Sequence, residues 1–138
     1  MVPNIQGKGA MGPAQQKSRA VLLVEDDAEL RGLTAKLLDE GKFDTIECAE
    51  AALATMLIRG RDIAMIFADI KLPGVMDGID LACEVKMRWP LLPVILTSGL
   101  PREHVRDLPF GVHYMAKPWR PVNVLIAAEQ ALASVPVG

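Results

Sequence analysis

The chain has 138 residues, about half of them apolar, and a formal net charge of −2, a composition typical of one soluble globular domain with a hydrophobic core. This charge excludes the basic field that would hold the phosphates of DNA or RNA, and no apolar run approaches the roughly 18 residues that a membrane helix needs. Cys48 and Cys83 lack the close spacing of a zinc site or a disulfide framework, so we expect reduced thiols, a cytoplasmic protein, and neither nucleic acid nor membrane as a partner.

The two ends of the chain lack the pattern of a folded element. Residues 1–18 are rich in Gly, Pro, Gln and Lys, show no periodicity, and lack the apolar centre of a secretory signal. We therefore predict a disordered N-terminal tail over residues 1–18, one folded domain over residues 19–134, and a short C-terminal tail over residues 135–138.

Short apolar runs alternate with helical patterns through the rest of the chain. A short apolar run bounded by turn residues predicts a strand, and a continuous one predicts a strand that is buried on both faces. The predicted strands are Val21–Val24, Thr45–Cys48, Ile63–Ala68, Pro93–Leu96 and Val112–Ala116. The predicted helices are one that follows Asp27 and ends at Gly41, Ala51–Leu57, one from Asp77 to Trp89, a brief charged one within Pro101–Asp107, and Pro121–Ser134.

Three of the predicted helices have apolar residues at the spacing of one helical face. The positions predicted to point inward are Leu30, Leu33, Leu37 and Leu38 in the first helix, Ile79, Ala82, Val85 and Met87 in the third, and Val122, Leu125, Ile126 and Leu132 in the last. We expect Asp27 and Asp77 to cap helix N-termini, and Gly41 to end the first helix in the left-handed conformation. The strict alternation of strands and helices predicts an α/β fold with a doubly wound, five-stranded parallel sheet and five helices.

Polar side chains follow four of the predicted strands, at the edge where open parallel sheets bind their ligands. They are Glu25, Asp26 and Asp27 after the first strand, Asp69 after the third, Thr97 and Ser98 after the fourth, and Lys117 after the fifth. Crowded carboxylates take up protons unless a cation neutralises them, and Mg²⁺ prefers oxygen ligands and bridges carboxylates to phosphates. With a hydroxyl from Thr97 and a positive charge from Lys117, the pattern indicates a clamp for a transferring phosphoryl group, with Asp69 as the nucleophile.

Four sequence motifs follow one another between Arg19 and Ser134: VLLVEDD, ADIKLPGVMDG, VILTSG and YMAKPW. In these motifs the chain resembles the receiver domain of two-component response regulators, which implies a flavodoxin-like sheet with the strand order 2-1-3-4-5. The resemblance implies that Asp69 accepts a phosphoryl group from a sensor histidine kinase or a histidine phosphotransfer protein, in a reaction that needs Mg²⁺ or Mn²⁺. Such a domain is a signalling module, not an enzyme, with self-catalysed phosphotransfer and slow autodephosphorylation only.

The resemblance also assigns the metal ligands. It implies that Asp26 binds the metal directly, that Glu25 acts largely through water, and that Asp69 and the backbone carbonyl of Lys71 complete the protein's share of the ligands. Glu25 stands where the family more often has an aspartate, and the loop Pro73–Gly78 is one residue longer than the commonest form.

The remaining motif residues are assigned to the phosphoryl group and to a switch. The resemblance implies that Thr97 and Lys117 contact the phosphoryl oxygens, and that Tyr114 turns inward when the Thr97 hydroxyl moves toward the phosphate. It also implies a cis bond between Lys117 and Pro118. Trp119 follows that proline, where the family more often has Phe or Tyr.

The predicted fourth helix is short because prolines bracket it. The family's usual signalling and homodimer face runs from the fourth helix to the fifth helix, so we expect this face to be remodelled here. A downstream protein target would bind the surface that phosphorylation switches.

Two other functions stay open from the sequence. A degenerate receiver would act only as a protein-interaction scaffold, although intact Asp69, Thr97 and Lys117 disfavour this reading. A Mg²⁺-dependent phosphohydrolase with an aspartyl intermediate carries its nucleophile in a DxD motif after the first strand, whereas this chain has the segment 25–28, EDDA, at that place. A nucleotide-binding domain is disfavoured because no glycine-rich phosphate fingerprint follows the first strand.

Overall fold

The structure is a computed structural model that describes residues 18–134. The strands are β1 (Ala20–Val24), β2 (Asp44–Cys48), β3 (Met65–Asp69), β4 (Val94–Ser98) and β5 (Val112–Ala116). The α-helices are α1 (Ala28–Glu40), α2 (Ala51–Gly60), α3 (Gly78–Arg88) and α4 (Pro121–Ala133). The predicted tails lie outside the described residues, apart from residue 18, so the proposed domain limits stay a prediction.

All five strands form one parallel sheet in the order β2-β1-β3-β4-β5. This is the predicted flavodoxin-like order, and the fold class is confirmed. In a parallel sheet the carboxyl ends of all strands lie on one edge, which places together the polar residues that end β3 and β4 and those that follow β1 and β5.

The sheet separates two apolar layers. One layer joins one face of the sheet to α2 and α3, through side chains such as Ala54, Ile66 and Ala82. The other joins the opposite face to α1 and α4, through side chains such as Leu38 and Phe67. Because side chains alternate between the two faces of a strand, even-numbered β3 and β4 residues face α2 and α3, whereas odd-numbered ones face α1 and α4.

Burial explains why the central strands were easy to locate. Every residue of β3 and β4 is buried, and β1 is buried from its second residue onward, as expected for strands covered on both faces. The edge strands β2 and β5 are mostly exposed or half-buried, with Cys48 at the end of β2 as the buried position, which agrees with the more polar sequence of β2.

The structure differs from the predicted helices in one element. Between β4 and β5 the chain makes only a single 3₁₀ turn at Arg102–His104, so the residues described contain four α-helices where five helices were predicted. Pro101 and Pro109 bracket this segment and leave too little chain for regular helix. Of the two helices that form the family's usual signalling and homodimer face, the described residues therefore contain only the second, which is α4.

Some predicted inward positions were wrong. Four of the apolar side chains predicted to point inward are largely exposed, namely Leu33, Met87, Val122 and Ile126. In α4 the buried positions are Val124, Ala128 and Ala131, because this helix is apolar on several sides and its small residues allow close approach to the sheet.

The predicted caps were mostly right. Asp27 accepts hydrogen bonds from the backbone N–H groups of Glu29 and Leu30, and Asp77 forms a capping box with Asp80. Gly41 ends α1 with a φ of −84°, so the predicted left-handed glycine was wrong; Lys42 takes the positive φ of 68°. A Cβ at Gly41 would lie 2.6 Å from a methyl group of Leu125, so a larger residue there would require the Leu125 side chain to shift.

Candidate functional site

Asp69 is the last residue of β3 and pairs in register with Thr97 of β4. Both are odd-numbered residues at the carboxyl end of neighbouring parallel strands, so their side chains lie on the face that α1 and α4 cover. Asp69 is 8% exposed and Thr97 is 2% exposed. The sheet therefore brings a carboxylate and a hydroxyl together in a nearly dry position.

Glu25 and Asp26 reach the same place from β1. One carboxylate oxygen from each of Glu25, Asp26 and Asp69 lies within 4.8 Å of the other two. Glu25 and Asp69 are buried, whereas Asp26 is exposed, so the cluster has a protein side and a solvent side. Three oxygens at this spacing fit a hard divalent cation that keeps some water ligands.

Lys117 enters from the end of β5. Its Nζ donates to Asp69 Oδ2 at 2.9 Å and lies 3.5 Å from Glu25 Oε1. Burial alone would lower the pKa of the Lys117 ammonium, but the hydrogen bond to Asp69 and the charges of Asp69 and Glu25 outweigh it and raise the pKa above its ordinary value. Lys117 is thus a fixed positive charge that neutralises part of the carboxylate cluster.

Glu25 is held by contacts on both sides. Its Oε2 accepts from the backbone N–H of Asp27 at 3.1 Å, and its backbone carbonyl accepts from the Arg31 guanidinium at 2.7 Å. Burial raises the pKa of Glu25; the nearby charge of Asp69 adds to the rise, and the contacts with Asp27 and Lys117 oppose it. The residue therefore gives up its proton less readily than an ordinary glutamate.

The hydroxyl of Thr97 has an unexpected partner. Trp119 donates from its indole Nε1–H to Thr97 Oγ1 at 3.1 Å. Tyr114, the predicted switch partner of Thr97, donates its hydroxyl proton to the backbone carbonyl of Leu100 instead. Tyr114 is thereby joined to the loop that follows Thr97, and its predicted inward movement stays a prediction.

The turn after Asp69 is shaped by close backbone packing. The N–H of Gly78 donates to the carbonyl of Ile70 at 2.7 Å. A Cβ at Gly78 would collide with the carbonyl oxygen of Asp69 and lie 2.7 Å from the Ile70 Cα. The start of α3 is therefore pressed against the backbone that carries Asp69. The backbone N–H of Lys71 points back to Asp69 Oδ1 at 3.3 Å.

An ionic contact ties the β4–β5 connection to α3. Arg106 donates to both carboxylate oxygens of Asp77 at 3.2 Å and to Asp80 at 3.1 Å. Asp77 and Asp80 form the capping box of α3. The Arg106 guanidinium therefore links the connection between β4 and β5 to α3, the helix that follows Asp69 in the chain.

The structure brings together most of the predicted site residues. Glu25, Asp26, Asp69, Thr97 and Lys117 share the carboxyl edge of the sheet, and the bond from Lys117 to Pro118 is cis as the resemblance implied. Asp27 caps α1, and the Ser98 hydroxyl accepts from the backbone N–H of Leu100.

Sequence reasoning missed the contacts of Trp119, Arg31 and Arg106. The unusual tryptophan after the proline was visible in the sequence, but its hydrogen bond to Thr97 was not. The two arginine contacts had no sequence signal, because each depends on the path of a loop.

The chain matches the family model described as response regulator receiver domain over residues 21–129. Protein PetR of Rhodobacter capsulatus is 33% identical over 119 residues, which cover 84% of this chain and 49% of that protein. Response regulator protein FleR of Pseudomonas aeruginosa is 35% identical over 122 residues, which cover 84% of this chain and 25% of that protein. The chain thus spans half or less of the length of these two relatives.

Solved structures give the same picture. The receiver domain of NtrX from Brucella abortus has a TM-score of 0.70 at 29% identity, covering 83% of this chain and 98% of that one. A signal receiver domain of a histidine kinase from Syntrophus aciditrophicus has a TM-score of 0.78 at 26% identity, covering 86% of this chain and 93% of that one. Within residues 18–134, none of the helices has the length and apolar character that a membrane crossing requires.

Proposed function

The chain belongs to the response regulator receiver domain family, and we propose that Asp69 accepts a phosphoryl group from a phosphohistidine of a sensor histidine kinase or a histidine phosphotransfer protein. One observation carries the proposal: Lys117 Nζ lies 2.9 Å from Asp69 Oδ2, beside the carboxylates of Glu25 and Asp26. A carboxylate with a fixed ammonium and a cation-binding cluster at its side suits phosphoryl transfer, in which positioning and charge do most of the work.

Receiver domains generally bind Mg²⁺ at an acidic pocket, and the carboxylates of Glu25, Asp26 and Asp69 fit such an ion. We propose that Asp26 and Asp69 ligate Mg²⁺ or Mn²⁺ directly, that Glu25 acts through water, and that the backbone carbonyl of Lys71 adds a ligand. The fit rests on the donor set, because three carboxylate oxygens within 4.8 Å of one another face one ammonium group and need further positive charge. When bound, the ion supplies charge neutralisation and orients the phosphoryl oxygens.

The chain's own residues account for the rest of the transfer. A carboxylate oxygen of Asp69 forms a bond to phosphorus while the phosphorus–nitrogen bond of the donor breaks, and the leaving imidazole keeps the electron pair and takes a proton. Lys117 and Thr97 contact the phosphoryl oxygens, whose negative charge the ammonium and the hydroxyl proton stabilise. Burial of Asp69 limits the access of water to the new acyl phosphate.

The proposed output of Asp69 phosphorylation is a change in the surface that a downstream protein binds. We propose that Thr97 and Tyr114 act as the switch, since Tyr114 holds the loop at Leu100 that directly follows β4. Val122 and Ile126 are exposed one helical turn apart on α4, and they offer an apolar strip for a downstream protein or for a second copy of this chain.

A scaffold function without phosphorylation is the second candidate. The low exposure of Asp69 is the observation that favours it, because a buried acid can also be structural. The contact between Asp69 and Lys117 weighs against it, since an ammonium group held 2.9 Å from the carboxylate suits the binding of a phosphoryl group there.

Incubation with Mg²⁺ and acetyl phosphate, followed by intact mass measurement, tests the proposed function. We expect wild type to gain one phosphoryl group that base treatment removes, and Asp69→Asn to gain none because its amide cannot attack phosphorus.

Asp44→Asn is the matched control, because Asp44 is exposed at the opposite edge of the sheet, and it should gain the group like wild type. A wild-type chain that stays unmodified would support the scaffold function. Turnover of many phosphoesters without an adduct would indicate a phosphohydrolase.

A further inference from the structure

Trp119 occupies a position at the candidate site that the proposed function does not use. Its indole Nε1–H donates to Thr97 Oγ1 at 3.1 Å. Thr97 is buried, and within residues 18–134 its hydroxyl oxygen has the Trp119 indole as its hydrogen-bond partner.

The indole ring is itself held in place. It stands edge-on to Phe67, with ring centroids 6.3 Å apart and planes at 89°. Phe67 is 2% exposed and lies in β3, two residues before Asp69. The N–H donor of Trp119 therefore has a defined position relative to the strand that carries the phosphoryl acceptor.

The direction of this hydrogen bond matters for chemistry. A threonine hydroxyl has one proton and two acceptor lone pairs, whereas an indole N–H only donates. The bond from Trp119 therefore occupies a lone pair of Thr97 Oγ1 and leaves the hydroxyl proton available. A phosphoryl group offers only acceptor oxygens, so a hydroxyl that presents its proton attracts the group and one that presents a lone pair repels it.

We propose that Trp119 is a positioning residue that keeps the Thr97 hydroxyl oriented as a donor toward a phosphoryl group on Asp69. It thereby sets how readily Asp69 gains that group. The inference rests on the proposed function for its effect on Asp69, although the hydrogen bond is testable without phosphate. A phenylalanine at this position would keep the ring but has no N–H to give.

Nuclear magnetic resonance observes the hydrogen bond directly in the unphosphorylated chain. The chain has two tryptophans, so a ¹⁵N spectrum contains two indole N–H peaks, and the one absent from Trp119→Phe belongs to Trp119. Thr97→Val removes the hydroxyl at similar volume, and we expect the Trp119 proton to move upfield in this variant. Thr97→Ser keeps a hydroxyl and should leave the peak near its wild-type position.

Either of two results would contradict the hydrogen bond between Trp119 and Thr97. One is a Trp119 peak that does not move in Thr97→Val. The other is a peak that moves equally in Thr97→Val and Thr97→Ser, which would indicate a packing effect.

The rate of phosphoryl uptake tests the consequence. With Mg²⁺ and acetyl phosphate, we expect Trp119→Phe to lower the rate constant of uptake about three- to tenfold, the range that one neutral hydrogen bond supports. In a Thr97→Val background the same change should have an effect of less than about twofold, because Trp119 acts through the hydroxyl that is then absent. Trp89→Phe is the control for replacing a tryptophan away from the site, and it should leave the rate unchanged.

An equal loss in both backgrounds would overturn the positioning role. A wild-type chain that gains no phosphoryl group would overturn the proposed function and the effect of Trp119 on Asp69 with it. In that case the indole spectra still decide whether Trp119 positions Thr97.

Discussion

Lys117 contacts two carboxylates of the candidate site, so its charge influences both the acceptor and the metal-binding cluster. The ammonium is partly buried, at 23% side-chain exposure, between Asp69 and Glu25. At that depth a charged hydrogen bond is screened less by solvent than at the surface, and its removal leaves two carboxylates without their partner.

We expect Lys117→Ala to keep the fold and to lower the rate of phosphoryl uptake by about tenfold or more, the range of a charged hydrogen bond. Circular dichroism checks the fold, and a time course of intact mass checks the rate.

Lys36→Ala is the matched control for Lys117→Ala. It removes the same charge from an exposed position in α1, and Lys36 has no role in the proposed site. An equal loss of rate in both lysine variants would contradict a specific role for Lys117.

Glu25 gives the site a dependence on pH. Its pKa is raised above the ordinary value of 4.5, first by burial. Between that value and the raised one, the folded chain holds the Glu25 proton longer than the unfolded chain does. The stability that this difference provides is complete below pH 4.5 and is lost as the pH rises through the raised pKa.

The free energy of unfolding of wild type should therefore fall relative to that of Glu25→Gln as the pH rises from about 4 to about 8 in metal-free buffer. Urea titrations at several pH values measure the difference. A difference that stays constant, or that grows in favour of wild type, would contradict the raised pKa.

At the residue scale, the sequence was sufficient to locate the acids, the hydroxyl and the amine, because each directly follows an apolar strand. It also located the caps Asp27 and Asp77, which need only local geometry. The contact between Thr97 and Trp119 was beyond sequence reasoning, because it depends on how the chain turns after Pro118.

Among the elements, the start of α3 is coupled most tightly to the site. Gly78 has no room for a side chain, since a Cβ would meet the backbone of Asp69 and Ile70. Backbone atoms cannot rotate away as a flexible side chain can, so the strand end or the helix would have to move.

Gly78→Ala should destabilise the fold by about 2 kcal/mol or more, in the upper part of the range for overpacking, and should also slow phosphoryl uptake because Asp69 is displaced. Thermal and urea unfolding measure the first effect.

Gly32→Ala is a control with the same chemical change. Gly32 lies within α1 with open space around its Cα, so alanine should stabilise the chain by about 0.5–1 kcal/mol. A Gly78→Ala variant as stable as wild type would contradict the close packing of α3 on Asp69.

The connection between β4 and β5 is the element that the sequence predicted least well. Its prolines indicated a short helix, and the structure has one 3₁₀ turn there. The contacts of Arg106 with Asp77 and Asp80 attach this connection to the start of α3 in place of a helix packed on the sheet. Such a long-range ion pair has no periodic pattern, so sequence reasoning could not find it.

For the whole molecule, a cation that binds the acidic cluster should stabilise the folded chain, because the cluster exists only when β1 and β3 are paired. Mg²⁺ at about ten times its dissociation constant should raise the free energy of unfolding by about 1.4 kcal/mol. Asp26→Asn should lose this gain, and Asp44→Asn, at the other edge of the sheet, should keep it. Unfolding curves with and without Mg²⁺ measure the gain, and its persistence in Asp26→Asn would contradict the assigned site.

The overall architecture was predictable because alternating apolar runs and helical patterns leave few packing solutions for a parallel sheet. The helix faces were less predictable. The apolar residues of α4 lie on several sides of the helix, so its sequence does not define one inward face. Packing against the sheet determines that Val124 and Ala128 are buried and that Val122 is exposed.

The acids and the amine of the site differ in how firmly the sheet holds them. Glu25, Asp26 and Asp69 are attached to β1 and β3 in the interior of the sheet. Lys117 follows β5, which within residues 18–134 pairs with β4 alone and is half exposed. Strands at the edge of a sheet open locally at a lower free-energy cost than interior strands. Local unfolding of β5 would remove the Lys117 ammonium from carboxylates that the interior strands still hold. We therefore expect the affinity of the site for a divalent cation to be higher in this partly opened state than in the closed one.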